Sequence, residues 1–522
     1  MKRKLMLFRL SLTVICICLA ASLVFAQRDG MLSITASTVN TPVLIGVKAS
    51  PLIKIDIIVP PGSKGVSLQK IFYTLNNAAL NAFEKMEVYA TGPLQDFNTS
   101  RRFTSVVPSS VSGDIPFEIT LPAGQHRLWV SATAKPGANM DGIIEARVTQ
   151  IATDQKMYTI AKETSSFKKH TGIAIRKKGD DKVNTYRIPG IVSTDKGTLL
   201  AVYDIRYNNS KDLPENIDVG LSRSTDGGRT WEPMKIIMDM GEPHENNGIG
   251  DPAVLFDPVT KKTWVAALWS KGNRSIAGSE PGLSPDTTGQ FVLVSSDDDG
   301  LTWSAPINIT TQVKNPVWHL YFQGPGSGIA MQNGTLVFPS QYWDEQKKPG
   351  IPHSAIIYSE DHGKTWKSGT GAKSNTTESQ VAETTPGTLM LNMRDNRGKF
   401  RSIATTTDMG QTWKEHATSQ SALADPVCMG SFIKANINIK GKQKDVLFFS
   451  NPNTALERYN MTIKASLDLG ESWLPVNETL IDENECYGYS TLVKIDNNTI
   501  GMLYEGRGDL YFVRIPVTEI IK

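Results

Sequence analysis

Short runs of alternating apolar and polar residues recur in the first third of the chain. Such alternation predicts β-strands with one buried face. The chain also holds 42 glycines and 28 prolines among 522 residues, a composition typical of a turn-rich β protein rather than a helical bundle. The pattern therefore predicts an all-β fold. The clearest early runs lie at residues 53–59, 86–89, 117–121 and 126–134.

An eight-residue motif, Ser/Thr-x-Asp-x-Gly-x-Thr/Ser-Trp, occurs five times in the second part of the chain, and apolar runs such as 291–294 and 355–358 precede its copies. In such a turn the Asp accepts backbone N–H groups, the Gly adopts a positive φ and the Trp packs beneath. We therefore interpret these aspartates as parts of structural turns rather than as catalytic residues or metal ligands. Repetition at this spacing is typical of a propeller with one four-stranded sheet per repeat. The copies occupy residues 224–231, 296–303, 359–366, 406–413 and 466–473.

Residues 27–160 differ from the rest because they show strand patterns but no copy of the motif. We predict a β-sandwich domain there, for which carbohydrate binding is one candidate role. A polar linker is expected near residues 153–169. The repeats then predict a β-propeller domain assigned to residues 168–522, with the propeller itself beginning near Gly172.

The first 26 residues have the pattern of a processing signal. A segment with four basic residues precedes an apolar run that ends in small residues before Gln27. This predicts a signal peptide at residues 1–26, cleaved on export, so that the mature chain is periplasmic, cell-surface or secreted and has no stable membrane span. A retained membrane anchor is the alternative.

Charge and cysteine usage narrow the function classes. Loss of the signal would remove four basic residues and no acidic ones, which changes the formal charge from +3 to −1 and argues against nucleic-acid binding. Two cysteines follow the signal, Cys428 and Cys486, and we expect free buried thiols there, with a disulfide as the alternative. The sequence has no CxxC, HExxH or clustered histidines, so neither a metal nor another cofactor is expected.

The segment Tyr186-Arg187-Ile188-Pro189 precedes all five motif copies. An Arg-Ile-Pro on a first propeller strand, followed by Asp-boxes, resembles the bacterial exo-α-sialidase (neuraminidase) family, and the resemblance extends from about Gly172 to the C-terminus. It implies an all-β chain whose catalytic domain is a six-bladed β-propeller. It also implies hydrolysis of terminal sialic acids from glycoproteins, glycolipids and oligosaccharides. The reaction would retain the anomeric configuration and pass through a covalent tyrosyl intermediate. Sialylated glycoconjugates would be the partners.

Three arginines match the family's carboxylate-binding triad. They are Arg187 of the YRIP segment, Arg394 of LNMRDNRG and Arg458 of NPNTALERYN. Sialic acid carries a carboxylate on its anomeric carbon, and guanidinium groups stay charged and match carboxylate geometry. A single arginine of this kind could equally form a surface ion pair, whereas three in the family's order favour a binding site.

A tyrosine nucleophile avoids the repulsion that a carboxylate nucleophile would meet from the substrate carboxylate, but a phenol needs a base. Sialidases with a tyrosine nucleophile are a known exception to the two-carboxylate glycosidase scheme. The resemblance assigns Tyr489 of the segment GYSTL as nucleophile and Glu378 of ESQVAE as its base. Tyr487, on the same face by strand periodicity, and Glu383 remain alternatives.

The remaining assignments are also carried over from the family. Spacing after the first strand gives Asp212 as the general acid/base, with Arg206 near the sugar 4-hydroxyl, and Asp204 as a structural residue. Asp251 resembles the residue that meets the N-acetyl group. Glu505 resembles the carboxylate that orients the first arginine. Trp269 is a candidate for the N-acetyl pocket or for the core.

Two other functions remain open from the sequence. A non-catalytic sialic-acid-binding propeller would keep the arginines but could lose the acid, the base or the nucleophile; this chain has candidates for all three, which favours an enzyme. A trans-sialidase would perform the same first step and then use a sugar acceptor instead of water.

Overall fold

The computed structural model describes residues 31–93, 95–161, 167–272, 275–346 and 348–522. The expected signal peptide lies outside these residues. Strands dominate the described part, and the all-β prediction is confirmed. No helix within those five ranges is both long and apolar enough to cross a membrane. The α-helices of this part are Asn77–Ala82, Thr310–Val313 and Val517–Ile520, and the 3₁₀ turns are Asp180–Lys182, Ile276–Gly278 and Pro475–Asn477.

The N-terminal region forms two antiparallel sheets. Sheet N1 contains, in spatial order, Ser33–Thr38, Ser50–Val59, Gly124–Ala134, Phe83–Thr91 and Arg102–Val106. Sheet N2 contains Met157–Thr159, Ala146–Thr153, Val66–Leu75 and Ser112–Leu121. All four strands predicted from alternation are present, and each is longer than its predicted run. The expected linker contains the short strand Met157–Thr159 and ends where the next strand begins at Lys169.

The two N-terminal sheets share one apolar core. Along Ser50–Val59, buried positions such as Ile53, Ile55 and Ile57 alternate with more exposed ones, as expected for a strand with one covered face. Residues of sheet N2, such as Ile71, join the same core. Face-to-face packing of these alternating strands therefore encloses the apolar side chains that the sequence pattern marked.

Six further sheets follow. Sheet 1 contains Thr185–Ser193, Leu199–Arg206, Ile217–Ser224 and Lys235–Met238. Sheet 2 contains Asn247–Phe256, Thr263–Lys271, Gln290–Ser296 and Ile307–Asn308, with Gly326–Ser327 parallel to the first. Sheet 3 contains Leu320–Gln323, Leu336–Trp343, Pro352–Ser359 and Lys367–Ser368, with the short strands Ile329–Ala330 and Lys373–Ser374.

The second half has the same design. Sheet 4 contains Thr376–Thr385, Thr388–Asp395, Ser402–Thr406 and Lys414–Glu415, beside the two-stranded pair Lys399–Phe400 and Ala424–Asp425. Sheet 5 contains Ser431–Ile439, Lys442–Pro452, Met461–Ser466 and Glu478–Asp482. Sheet 6 contains Ser490–Asp496, Thr499–Glu505, Leu510–Pro516 and Lys169–Arg176, with Val43–Ile45 and Ile143–Ile144 paired to the last.

Each of these sheets contacts the next in chain order. The first strands of sheets 1 and 2 contact each other, as do those of sheets 4 and 5 and of sheets 5 and 6. Sheet 3 contacts sheets 2 and 4. The first strand of sheet 6 also contacts the first strand of sheet 1. Because packing covers both faces, a strand such as Leu199–Arg206 is buried throughout and reads as a continuous apolar run rather than an alternation.

The five Asp-boxes lie at the turns between the third and fourth strands of sheets 1 to 5. In the first box, Asp226 accepts hydrogen bonds from the backbone and hydroxyl of Thr230 at 3.0 and 2.6 Å. Gly228 has a φ of 86°, and a Cβ there would overlap Phe512 of sheet 6. Trp231 packs edge-on against the same Phe512 at 5.2 Å. The box is thus a structural turn, as predicted, and it also fixes contact between neighbouring sheets.

The N-terminal sheets are joined closely to sheets 1 and 6. The buried Lys169 donates from Nζ to the carbonyl oxygens of Val39 and Thr41, each at 2.6 Å. Asp141 accepts hydrogen bonds from Arg229 and Arg514 at 2.6 and 2.7 Å. The N-terminal core is also continuous with apolar residues of sheets 1 and 6.

Candidate active site

One cleft of about 400 Å³ collects side chains from all six sheets of the second region. Most of them stand at the ends of first or second strands, or in the loops that leave those strands. Seven residues singled out from the sequence line it: Arg187, Asp212, Asp251, Glu378, Arg394, Arg458 and Tyr489.

Tyr489 and Glu378 form the centre of the cleft. The Tyr489 hydroxyl donates a short hydrogen bond to Oε1 of Glu378. Arg394 Nη1 donates to Glu378 Oε2 at 2.6 Å and to the Tyr489 oxygen at 3.1 Å. The phenol, the carboxylate and the guanidinium therefore contact one another, although they are separated by up to 111 residues in sequence.

Burial keeps the phenol of Tyr489 protonated. Tyr489 is only 5% exposed, and burial together with the charge of Glu378 raises its pKa well above the usual value, against the opposing effect of Arg394 and Arg187. The hydroxyl can act as a nucleophile only if its proton leaves during attack. Glu378, which already accepts that hydrogen bond, is the group positioned to take it.

Arg187 is fixed from behind by Glu505. Glu505 is fully buried, and its Oε1 accepts from Arg187 Nε at 3.1 Å and from the Ile188 amide at 2.8 Å. Its Oε2 accepts from the Tyr489 amide at 2.9 Å. Ile188 has a φ of +57°, an unfavourable conformation for a β-branched residue, at a bulge in the first strand of sheet 1. One buried carboxylate thus positions both an arginine and the tyrosine.

Three guanidinium groups surround the tyrosine ring. Arg187 lies 5.1 Å and Arg458 6.0 Å from the ring centre of Tyr489, and Arg394 contacts its hydroxyl. Arg458 is held by the carbonyl oxygens of Tyr487 and Val427 at 2.8 and 3.0 Å. Three positive charges converging beside the Tyr489 ring make this end of the cleft suited to an anionic group.

Asp212 lies beside this cluster, on the loop after the second strand of sheet 1. Its side chain is 69% exposed, and its Oδ1 accepts from Arg206 Nη1 at 2.7 Å and lies 3.7 Å from Arg187 Nη1. Arg206 itself is buried and is not among the cleft-lining residues of the described chain, so its expected contact with the sugar stays a prediction.

Asp251 enters the cleft from sheet 2. Its amide donates to Asp204 Oδ1 at 2.8 Å, and its carbonyl accepts from Gln323 at 2.6 Å. Burial, with the nearby charges of Asp204 and Asp212, raises the pKa of Asp251 well above its usual range. The side chain is therefore a carboxyl that protonates easily, and in that form it can donate a hydrogen bond.

The alternative residues have other partners. The Glu383 carboxylate accepts from the amides of Gln332 and Gly387 at 2.8 and 2.9 Å. Tyr487 stacks on Arg187 at 4.9 Å. Trp269 donates to Asn247 at 2.8 Å and packs on the core between sheets 1 and 2, outside the cleft lining. The tyrosine–carboxylate hydrogen bond is thus between Tyr489 and Glu378.

Several cleft residues were not singled out from the sequence. The apolar wall contains Phe322 and Trp343 of sheet 3 and Ile276, and the polar lining includes Gln341 and Asn396. The Trp343 Nε1 is buried without a hydrogen-bond partner among the residues that the structure describes. These residues stand on strands and loops without a distinctive motif, so only their convergence in space identifies them.

Cys428 packs against Tyr489. It is fully buried beside Ile188, Met429 and Tyr489, and burial raises the pKa of its thiol to about 12. Both it and Cys486 are free thiols, as expected. Across the described ranges, no group of three or more His, Cys, Asp or Glu side chains is arranged to hold a metal ion.

Two family models match the chain. Residues 188–503 match the BNR repeat-like domain, and residues 32–157 match the N-terminal domain of BNR-repeat neuraminidase. These two ranges correspond to the six-sheet region and to the pair of N-terminal sheets.

Known proteins extend the match. The chain is 49% identical over 410 residues to a sialidase of Bacteroides fragilis, an alignment covering 76% of this chain and 74% of that protein. It is similar to the Hadza microbial sialidase Hz136, with a TM-score of 0.86 and 38% identity over 93% of this chain and 100% of that one. It also resembles Trypanosoma rangeli sialidase in complex with 2,3-difluorosialic acid as a covalent intermediate, with a TM-score of 0.54 and 25% identity over 64% and 54% of the two chains.

The all-β fold, the cleft and these matches together define a glycoside hydrolase. More narrowly, the chain belongs to the BNR-repeat family of exo-α-sialidases, or neuraminidases. The family resemblance carried by the YRIP segment and the Asp-boxes is confirmed.

Proposed function

We propose that this sialidase is a retaining exo-α-sialidase that hydrolyses terminal sialic acids through a covalent intermediate on Tyr489. The observation that carries the proposal is the hydrogen bond from the Tyr489 hydroxyl to Glu378, made inside a ring of three arginines. A nucleophile, its base and an anion site thus occupy one cleft.

The first role is substrate binding. The carboxylate on the anomeric carbon would lie against Arg187, Arg394 and Arg458, next to the tyrosine ring. Arg394 lines the cleft and makes its hydrogen bonds to Glu378 and Tyr489 through Nη1 alone. Glu505 keeps Arg187 oriented toward the same point. Asp251, on the opposite side, would contact the N-acetyl group.

The second role is attack. The Tyr489 oxygen would bond to the anomeric carbon while its proton passes to Glu378, so that no anionic nucleophile has to approach the substrate carboxylate. The arginines would stabilise that carboxylate beside the positive charge that develops on the sugar ring. Return of the proton from Glu378 to the phenol would accompany breakdown of the intermediate.

The third role belongs to Asp212. It would protonate the departing glycosidic oxygen and then remove a proton from the water that opens the intermediate. Two inversions at one carbon give net retention. The related T. rangeli sialidase, with its 2,3-difluorosialic acid covalent intermediate, supports a route of this type.

The surrounding architecture belongs to the same proposal. We propose that the six sheets form a six-bladed β-propeller over residues 168–522; the sequential contacts between sheets and the contact of sheet 6 with sheet 1 support this. The paired N-terminal sheets would form a β-sandwich over residues 27–160. Sialylated glycoconjugates would be the substrates, and residues 1–26 would be removed as a signal peptide on export.

An aryl α-sialoside tests the proposal. We expect release of the aryl alcohol and free sialic acid by the purified protein, with the α-anomer formed first by NMR. Addition of lactose distinguishes a hydrolase from a trans-sialidase. Sialyllactose as the main product would identify a trans-sialidase. A folded protein that binds sialic acid but releases none would be a lectin, and a first-formed β-anomer would exclude retention.

A further inference from the structure

We propose that Asp204 is a positioning residue that fixes the general acid Asp212 through Arg206 and, at the same time, fixes Asp251 through its backbone amide. The inference rests on the proposed function, because it concerns how the same cleft is held in its reactive geometry. Asp204 does not line the cleft among the described residues, and its two carboxylate oxygens serve two different cleft residues.

One oxygen holds Arg206. Asp204 Oδ2 accepts from Arg206 Nη2 at 2.9 Å and from Nε at 3.1 Å, and both side chains are 1% exposed. The other side of the guanidinium donates from Nη1 to Asp212 Oδ1 at 2.7 Å and to the Ser210 carbonyl at 2.8 Å. Arg206 therefore connects a buried carboxylate to the exposed one on the acid loop.

The other oxygen holds Asp251. Asp204 Oδ1 accepts from the Asp251 amide at 2.8 Å, across the boundary between sheets 1 and 2. Asp251 has a φ of +56°, within a bulge of the first strand of sheet 2, a conformation that external contacts must maintain. The preceding Gly250 makes the approach possible, since a Cβ there would lie 2.9 Å from Asp204 Oδ1.

The two contacts predict a specific electrostatic role. Burial raises the pKa of Asp204 to about 6 against the opposing charge of Arg206, so at neutral pH Asp204 is ionised and shares Arg206 with Asp212. Removal of the Asp204 charge would then leave the buried guanidinium paired with Asp212 alone. Asp212 would then hold its proton less readily, since an opposite charge favours the ionised form. The other charged groups that face Asp212 or share its loop stay in place, and they are Arg187, Arg394, Asp251, Lys211 and Glu215.

The test uses Asp204→Asn, which keeps the shape and one acceptor oxygen but removes the charge. For sialyllactose, we expect the alkaline limb of the kcat/KM profile to lie at lower pH than in the wild type above about pH 6, where wild-type Asp204 is ionised, and kcat/KM at neutral pH to fall about tenfold to a hundredfold. An aryl sialoside with a good leaving group needs little protonation, so its kcat should fall much less. The one remaining acceptor oxygen cannot serve both Arg206 and the Asp251 amide, so one of the two contacts is lost and KM should rise for both substrates.

Asp299→Asn is the matched control. Asp299 is also a buried carboxylate between sheets 1 and 2, bonded to Arg223 at 2.7 Å and to Thr194 and Thr198, but it lies outside the cleft lining. We expect it to lower the unfolding temperature without moving the pH limb. If Asp204→Asn behaves in the same way, with equal losses on both substrates and no shift of the limb, Asp204 is only structural and the proposal is wrong.

Arg206→Lys provides a second arm that does not depend on the folding of the Asp204 variant. A lysine cannot reach both carboxylates, so Asp212 loses part of its opposing charge and the alkaline limb should move to higher pH, opposite to the Asp204→Asn shift. A limb that does not move would contradict the connection through Arg206. Absence of any sialic acid release by the unaltered protein would instead refute the proposed function, and so the two failures are distinguishable.

Discussion

At the scale of single residues, the proposed role of Asp212 as general acid predicts that its charge state governs the pH dependence of the reaction. Although its side chain is largely exposed, Asp212 is partly desolvated by the surrounding cleft, which acts to raise its pKa; the charges of Arg206 and Arg187 outweigh this and hold the pKa below its usual value. A general acid must be protonated when the leaving group departs, so the reactive form of the free enzyme is lost as pH rises through that lowered pKa. For sialyllactose we expect kcat/KM to decline about tenfold per pH unit above it, and a flatter profile for an aryl sialoside. A flat profile for both substrates between about pH 4 and about pH 8 would argue against Asp212 as the acid.

Asp212→Asn removes the proton donor without changing the shape of the loop. We expect kcat/KM for sialyllactose to fall about a hundredfold to ten-thousandfold, and a much smaller loss for an aryl sialoside whose leaving group is already acidic. Steady-state kinetics on the two substrates measure the difference. The control is Asp195→Asn, because Asp195 is an exposed aspartate paired with Lys261 at 3.0 Å. This change should leave kcat/KM for both substrates unchanged. Equal losses on both substrates would assign Asp212 a binding role.

Much of the cleft could be predicted at this scale because its charged residues lie in short motifs. Arg187, Glu378 and Tyr489 were expected together and are brought together. The apolar wall, with Trp343, could not be found in the same way, since aromatic residues on buried strands look alike in sequence whether they face the core or a cleft. Trp269 illustrates this ambiguity: it faces the core.

At the scale of elements, the Asp-box turns carry a stability prediction. Asp226 accepts four hydrogen bonds, from Ser224, Arg229 and the amide and hydroxyl of Thr230, and they lower its pKa although burial alone would raise it. Asp226→Ala should reduce the free energy of unfolding by about 1–2 kcal/mol, measured by calorimetry, and leave kcat unchanged at 25 °C.

The sign of the pH effect follows from the lowered pKa of Asp226. Its contribution is present above the unfolded-state pKa, about 4, and is lost as pH falls through the folded-state value, so wild type and variant should converge on acidification. The free energy of unfolding of Asp226→Asn, which keeps one acceptor oxygen, should lie between those of the wild type and Asp226→Ala. A variant as stable as wild type at neutral pH would show that the turn does not depend on the carboxylate.

The sequence predicted five of the six second-region sheets well, because each ends in a local turn whose motif is complete within eight residues. Sheet 6 has no such turn and is assembled from distant segments: Lys169–Arg176 pairs antiparallel with Leu510–Pro516. Pairing between strands so far apart in the chain leaves no local pattern. The strand begins at Lys169, close to the expected domain start.

At the scale of the whole molecule, the N-terminal sheets and the six-sheet region are more continuous than the sequence indicated. Composition marks a boundary near the linker, but the apolar core runs from sheet N1 into sheet 1, and Val43–Ile45 pairs with a strand of sheet 6. Contacts of this kind involve ordinary apolar residues, which no motif identifies. The junction is therefore expected to contribute to the stability of both regions.

Lys169→Met tests the junction. The change removes the Nζ donor from the carbonyl oxygens of Val39 and Thr41; Val39 keeps the Thr41 amide at 3.0 Å, and we expect a loss of about 1–3 kcal/mol in the free energy of unfolding. Turnover of an aryl sialoside by the folded protein should stay the same, because Lys169 does not line the cleft. Lys177→Met, which removes one hydrogen bond to Gly46 at a more exposed position, is the control and should cost much less. Equal thermal stability of the two variants would contradict this role.

The measurement that tests the account most directly is the capture of the covalent intermediate. A 3-fluorosialyl fluoride should react with the protein and slow the breakdown step, since fluorine destabilises the positive charge that develops at the anomeric carbon. Mass spectrometry of the digested protein is predicted to find one sialyl adduct, on Tyr489, and Tyr489→Phe should carry none. An adduct on Tyr487 or on a carboxylate, or turnover without any adduct and with an inverted first product, would contradict the mechanism.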